Sequence, residues 1–318
     1  MTLKRFALLL MAAILLATAT IPALAEDAAE EFNEIIGADV EAPEVDDMLM
    51  DVAYVDDDSV DHKLDLFGTQ AATEPMPTII EVHGGGYIGG DKDTNTEHAQ
   101  FYASNGYLVV APNYTRLPSG DFKDAIQDLF TAYNWVADHA EEYNFDLSRV
   151  AISGDSAGGY YVLITAAIMA SPELQEFFEV TPPAFDFQAY VATCPATDVV
   201  AIRDNLGQGG PAGYVANTIG EEILNNEDLM SHLDLYSVVD PETYPNIYML
   251  TTPGDVTTGE ETLKFDAFLT EKGIDHTLVS YEDEGSGLIH VFNITKMAYP
   301  ESQKANADIV TYLDGILK

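Results

Sequence analysis

Two short stretches hold residue types that could do chemistry together. Gly154-Asp155-Ser156-Ala157-Gly158 lies inside VAISGDSAGGYY, an apolar, strand-like run that passes directly into a helical pattern. A serine on so sharp a strand-to-helix corner projects its hydroxyl from the sheet edge, above a helix N-terminus that favours developing negative charge. Gly154 and Gly158 fit there because side chains would collide in so tight a turn. The setting suits a nucleophile, and a serine attacks only when a base takes its proton and an acid orients that base. Of seven histidines, His290 lies in EDEGSGLIHVF, after the strand-like HTLVSY, and so reaches the same edge as Ser156. His276 begins that strand and falls at the opposite edge, while His62, His98, His139 and His232 sit in hairpin, helix or insertion segments. Asp255 follows NIYMLTTPG, one step past another strand, and is the expected acid; Asp283 and Glu282, in the loop of His290, are its possible replacements.

The second stretch is VHGGGYIGGD, residues 82–91. Three consecutive glycines cost backbone entropy, so the run marks a place where backbone must approach something closely. Attack on an acyl carbonyl puts negative charge on its oxygen, and backbone N–H groups aimed at that oxygen are worth several kcal/mol, on the order of 3. The run Gly84-Gly85-Gly86 and the N–H of Ala157, the residue after the nucleophile, are the expected donors. His83 reads as structural, bonding neighbouring backbone.

These residues need elements to hold them. DVAYV and HKLDLF read as two short strands, followed by strands at PTIIEVHG, YLVVAPNY, VAISGD, AYVAT, NIYMLTT and HTLVSY. TEHAQFYASN, DAIQDLFTAYNWVADHAEEY, GEETLKFDAFLTEKG and ESQKANADIVTYLDGIL have spacing nearer the helical period. Alternating apolar strands and helices predict a mostly parallel sheet covered on both faces. The alternation breaks over 195–244, which reads as a cap insertion above the sheet's carboxyl edge. The expected organisation is a signal peptide over 1–25, an acidic N-terminal segment over 26–48 and one α/β domain over 49–318.

HGGGYIGGD, PNYTRLP (112–118), DLSRVAISGDSAGG, Asp255 and the histidine of LIHVF occur in an order that resembles the hormone-sensitive-lipase-like esterases and the allied polysaccharide acyl esterases of the α/β-hydrolase superfamily. The resemblance covers about residues 50–318. It implies an α/β-hydrolase fold, a mostly parallel central sheet flanked by helices with a small cap insertion. It implies Ser156 as nucleophile, Asp255 and His290 as its partners, and the N–H groups of Gly85, Gly86 and Ala157 as the oxyanion hole. It implies no metal and no organic cofactor. The expected activity is a serine carboxylesterase acting on short acyl esters; acetyl or feruloyl ester hydrolysis on polysaccharide and a non-catalytic extracellular binding protein are the alternatives. NYTRLP lacks the family's fuller Y-R-L-A-P-E form, Tyr160 stands where a small or amide residue is usual, and VTTGEE follows Asp255 in place of a proline-leucine continuation. Tyr87, Tyr160 and Tyr161 could therefore narrow the acyl site.

Composition narrows the partners. In 318 residues there are 54 acidic and 13 basic side chains, a formal net charge of −41, which disfavours nucleic acid and anionic lipid surfaces and leaves a small ester or acylated saccharide as the expected substrate. Lys4 and Arg5, the apolar run from Phe6 to about Thr18 and Ala23-Leu24-Ala25 predict a cleaved signal peptide, hence a secreted chain without stable membrane association afterwards. The lone Cys194 permits no internal disulfide, so the fold must rest on its core.

Overall fold

The computed structural model describes residues 47–69 and 71–318; the expected signal peptide and residues 26–46 of the acidic segment lie outside them. Eight strands form one sheet in the order β1-β2-β4-β3-β5-β6-β7-β8. They are β1 (Met48–Ala53), β2 (Lys63–Phe67), β3 (Met76–Val82), β4 (Leu108–Pro112), β5 (Phe145–Asp155), β6 (Phe187–Thr193), β7 (Ile247–Thr251) and β8 (His276–Ser280). β1 with β2 and β2 with β4 pair antiparallel. Every other pairing is parallel, as the alternation of strands and helices predicts.

The main helices are α1 (Thr96–Ser104), α2 (Phe122–Asp138), α3 (Ala157–Ala170), α4 (Pro172–Phe178), α5 (Gly210–Ile219), α6 (Glu227–Leu233), α7 (Gly259–Lys272) and α8 (Pro300–Leu317). Strands β4 and β7 are buried along their whole length because both of their faces are covered, whereas the edge strands β1 and β8 are partly exposed. Ile80, Val82, Val110 and Ile152 join a core with residues of α2, α3 and α7. Their alternating neighbours Ile79, Val109 and Ala151 join a second core with residues of α1 and α8. Asp121 starts α2 with a reciprocal capping box to Asp124, and Gly273, at φ 72°, ends α7.

Residues 195–244 leave the sheet between β6 and β7 and contain α5, α6 and shorter turns. Ala216, Ile219, Leu224, Met230 and Leu233 of this stretch are buried in the same core as α2 and α3, so the insertion shares the domain's core. The hydroxyl of Tyr160 donates to Leu233 O at 2.6 Å, and that of Tyr87 to Ala196 O at 3.2 Å, which tie the insertion to α3 and to the glycine-rich loop.

Candidate active site

β5 ends at Asp155 and α3 begins at Ala157, so Ser156 alone makes the corner. Its backbone sits at φ 52°, ψ −116°, a conformation that costs on the order of 1–3 kcal/mol and persists only when neighbours enforce it. Three backbone bonds do so: Ser156 N–H donates to Thr193 O at 2.9 Å, and Ser156 O accepts from Tyr160 N–H at 3.1 Å and Ala196 N–H at 3.0 Å. The flanking glycines answer to close approach. A Cβ on Gly154 would lie 2.7 Å from Gly158 O, and one on Gly158 would lie 2.1 Å from Val82 O and 2.5 Å from His83 O.

The structure brings Ser156, His290 and Asp255 together. Ser156 Oγ lies 2.8 Å from His290 Nε2. On the other side of the ring, His290 Nδ1 lies 3.0 Å from Asp255 Oδ2 and 3.1 Å from Oδ1. An Nδ1–H donated to the carboxylate leaves Nε2 with its lone pair toward the serine, the tautomer a general base needs. Asp255 is buried, which by itself would raise its pKa. The hydrogen bond and charge of His290 and the N–H groups of Thr258 and Thr257 outweigh burial and hold the carboxyl at about 2. Asp283 is elsewhere occupied: its Oδ1 accepts the N–H of Gly285 and of Gly287 at 2.8 and 2.9 Å. His276 begins β8 and bonds Asp266 at 3.0 Å, and His98 is buried against Glu81, so neither joins the site.

The glycine run takes conformations that need glycine. Gly85 and Gly86 have φ of 122° and 60°, and a Cβ on Gly85 would lie 2.1 Å from Gly89 O. The N–H of Gly84 is committed to Asp155 Oδ1 at 3.0 Å. Those of Gly85, Gly86 and Ala157 meet no acceptor among the described residues. Val215 of α5 reaches within 3.5 Å of the position a Cβ on Gly86 would take, so the insertion overlies this loop. His83 is buried with its Nδ1 2.7 Å from Gly84 O and its ring stacked on Tyr114; burial pulls its pKa down to about 4. Its place is structural. Tyr87, Tyr160 and Tyr161 form an edge-to-face cluster buried between the glycine loop and α3.

Three supporting groups escape a reading of spacing alone. Asp155 Oδ1 takes the Asn95 side-chain N–H at 2.8 Å as well as that of Gly84, joining the nucleophile corner to the glycine loop. The segment 112–118 braces that loop from the far side. Tyr114 donates to His83 O at 2.8 Å, Arg116 to Gly90 O at 3.2 Å, and Leu117 N–H to Tyr87 O at 2.9 Å. Thr258, whose hydroxyl lies 2.8 Å from Cys194 O, 3.0 Å from Asp255 Oδ2 and 3.3 Å from His290 Nδ1, steadies the acid and base together. Asp155 lies in the serine motif and Tyr114, Arg116 and Leu117 in PNYTRLP, but their contacts bridge residues far apart in the chain.

Comparison with known proteins bears on the fold and the reaction class. The family model BD-FAE matches residues 64–256, which include the glycine loop, the serine corner and Asp255. Esterase LipI of Mycobacterium tuberculosis is 36% identical over 91 residues, 28% of either chain. Ethyl acetate hydrolase of Pseudomonas putida is 30% identical over 138 residues, 43% of this chain and 40% of that one. The chain thus aligns with less than half the length of these curated relatives. Among solved structures, Esterase B of Lactobacillus rhamnosis is 26% identical with a TM-score of 0.82, covering 92% of each chain. The same esterase inhibited by a C4-C4 tributyrin phosphonate is 27% identical with a TM-score of 0.78, covering 92% of this chain and 93% of that one.

Proposed function

The chain belongs to the BD-FAE family, and from that membership we propose that it is a carboxylic ester hydrolase, exported from the cell, that cleaves short-chain acyl esters through an acyl-enzyme on Ser156. The observation that carries the reading is the serine–histidine–carboxylate chain, 2.8 Å from Oγ to Nε2 and 3.0 Å from Nδ1 to Oδ2. Ser156 attacks the ester carbonyl as His290 takes its proton. The carbonyl oxygen gains charge toward the uncommitted N–H groups of Gly85, Gly86 and Ala157. His290 then protonates the departing alcohol, and water repeats the sequence on the acyl-enzyme. Asp255, ionised throughout the neutral range, stabilises the imidazolium formed at each step. The route needs neither metal nor organic cofactor.

Short acyl chains are favoured because the tyrosine cluster beside the glycine loop is filled by its own rings, and Val215 closes over Gly86. Esterase B reacting with a tributyrin phosphonate is consistent with this. Export rests on the basic, apolar and Ala-Leu-Ala order of residues 4–25. The test is hydrolysis of p-nitrophenyl esters from acetate to decanoate by the purified chain, with Ser156→Ala alongside. Activity that peaks at the short esters and vanishes in the variant is expected; equal background from both proteins would overturn the assignment.

A further inference from the structure

A half-buried carboxyl stands where the insertion, the acid loop and α7 meet. Glu261, in the first turn of α7, lines a cavity of about 620 Å³ behind the acid loop, together with Thr251, Asp255, Thr257 and Lys264. Its Oε2 accepts the N–H of Asp198 at 3.3 Å, and its carbonyl accepts the Thr197 hydroxyl at 3.0 Å. Asp198 in turn accepts Ala201 N–H at 3.1 Å and so starts the insertion's first turn, Val199–Asn205. On the same helical turn Thr258 bonds Asp255, and Thr262, which donates to Pro195 O at 3.2 Å, follows Glu261 directly. One turn of helix therefore grips the catalytic acid on one side and the root of the insertion on the other.

We propose that Glu261 is a positioning residue for the triad, whose carboxyl fastens the insertion's root to the turn that holds Asp255 and whose charge sets how readily His290 accepts the serine proton. The inference rests on the serine-hydrolase reading above. The groups facing Glu261 are mostly of its own sign. Asp198 faces it from the insertion and Asp255 from the acid loop; Tyr236 and Tyr87 are its neutral neighbours. Lys264, on its own helix, is exposed and paired with Glu260 at 2.9 Å. Burial, first, and the charges of Asp198 and Asp255 push the Glu261 carboxyl up to about 7, against the pull of the Asp198 N–H and Lys264. Glu261 thus changes charge in the range where a histidine base works. Its ionisation adds a second negative charge facing Asp255, the carboxylate that holds His290.

Glu261→Gln keeps an oxygen for the Asp198 N–H and removes the charge, whereas Glu261→Ala removes both. In Glu261→Gln the acid limb of the kcat/KM profile should move to lower pH by about half a unit, the scale of one like charge across a partly screened site. In Glu261→Ala KM should rise as well, because the insertion's root is untied. An unmoved acid limb in Glu261→Gln overturns the role assigned to the charge. Thermal unfolding supplies a readout independent of ester hydrolysis. A carboxyl raised from 4.5 to about 7 in the fold loses stability as pH rises across that window, so Glu261→Gln should gain on the natural chain between those values. Parallel stability profiles would refute the inference even in an inactive protein. The stability crossing without any ester hydrolysis would instead count against the proposed function alone.

Discussion

Replacing Gly158 with alanine tests whether the nucleophile helix sets the position of the glycine loop. The added Cβ would lie 2.1 Å from Val82 O, 2.5 Å from His83 O and 2.8 Å from His83 C, all of them backbone that cannot swing aside as a side chain does. An ordinary carbon–oxygen approach is about 3.4 Å, so the end of β3 must retreat by roughly 1 Å. That movement carries Gly84, Gly85 and Gly86 with it, because they follow His83 directly. A displacement of about 1 Å costs about 100-fold in rate, and losing one oxyanion donor costs about 10²–10³ in kcat. The overpacking itself should destabilise the chain by about 1–3 kcal/mol. We expect Gly158→Ala to lower kcat for p-nitrophenyl acetate by about 10²–10³ with a much smaller change in KM. Gly209→Ala, where a Cβ meets nothing within 4 Å and the backbone is extended, should behave as the natural chain. Counting reactive serines with a fluorescent phosphonate separates lost fold from lost rate. Natural kcat per labelled serine in Gly158→Ala would show that this contact does not position the oxyanion donors.

Two further outcomes follow from the charged groups. Asp255→Asn leaves the shape of the acid loop but offers His290 an amide in place of a carboxylate, so kcat should fall by about 10³–10⁴; a loss of less than tenfold would remove Asp255 from the triad. His83 titrates at about 4 in the fold against 6.5 in the open chain, so the stability it contributes is complete above pH 6.5 and is lost as pH falls through 4. The difference corresponds to about 3 kcal/mol. Denaturant titrations of Ser156→Ala with and without His83→Gln should show a shallower decline across that window in the double variant, and identical declines would contradict the reading.

Much of this architecture is visible in the sequence because backbone constraints are written as residue types. Each of the eight strands read from the sequence appears in the fold. β5 is the least legible: Phe145–Arg149 is too polar to read as strand, and only the pairing of Met76 with Phe145 extends it so far. The serine corner and the glycine loop were legible for the same reason. Each needs backbone so close to other backbone that only glycine fits, as at Gly158 and Gly85. Asp255 was legible by its place after β7, since its residue type cannot single it out among 54 acidic residues. Asp283, equally acidic and nearer His290 in the chain, turns its oxygens onto its own loop.

What stayed hidden acts through side-chain hydrogen bonds between distant segments. Tyr114 on His83, Arg116 on Gly90 and Thr258 on Cys194 span 31, 26 and 64 residues, and no local spacing announces such a partner. These contacts make the glycine loop and the loop of Asp255 parts of one edge. Asp155 accepts from Gly84 beside the serine, segment 112–118 closes over the glycine loop, and Thr258 ties the acid to the end of β6. Electrostatic preorganisation of this kind works only if donors and base are fixed before substrate arrives, since donors that must reorganise during the reaction lose most of their advantage. The strained Ser156 backbone belongs to the same logic: its cost is borne by bonds to Tyr160 in the helix it starts and to Thr193 and Ala196 at and just after the end of β6, so neither segment can relax without moving Ser156.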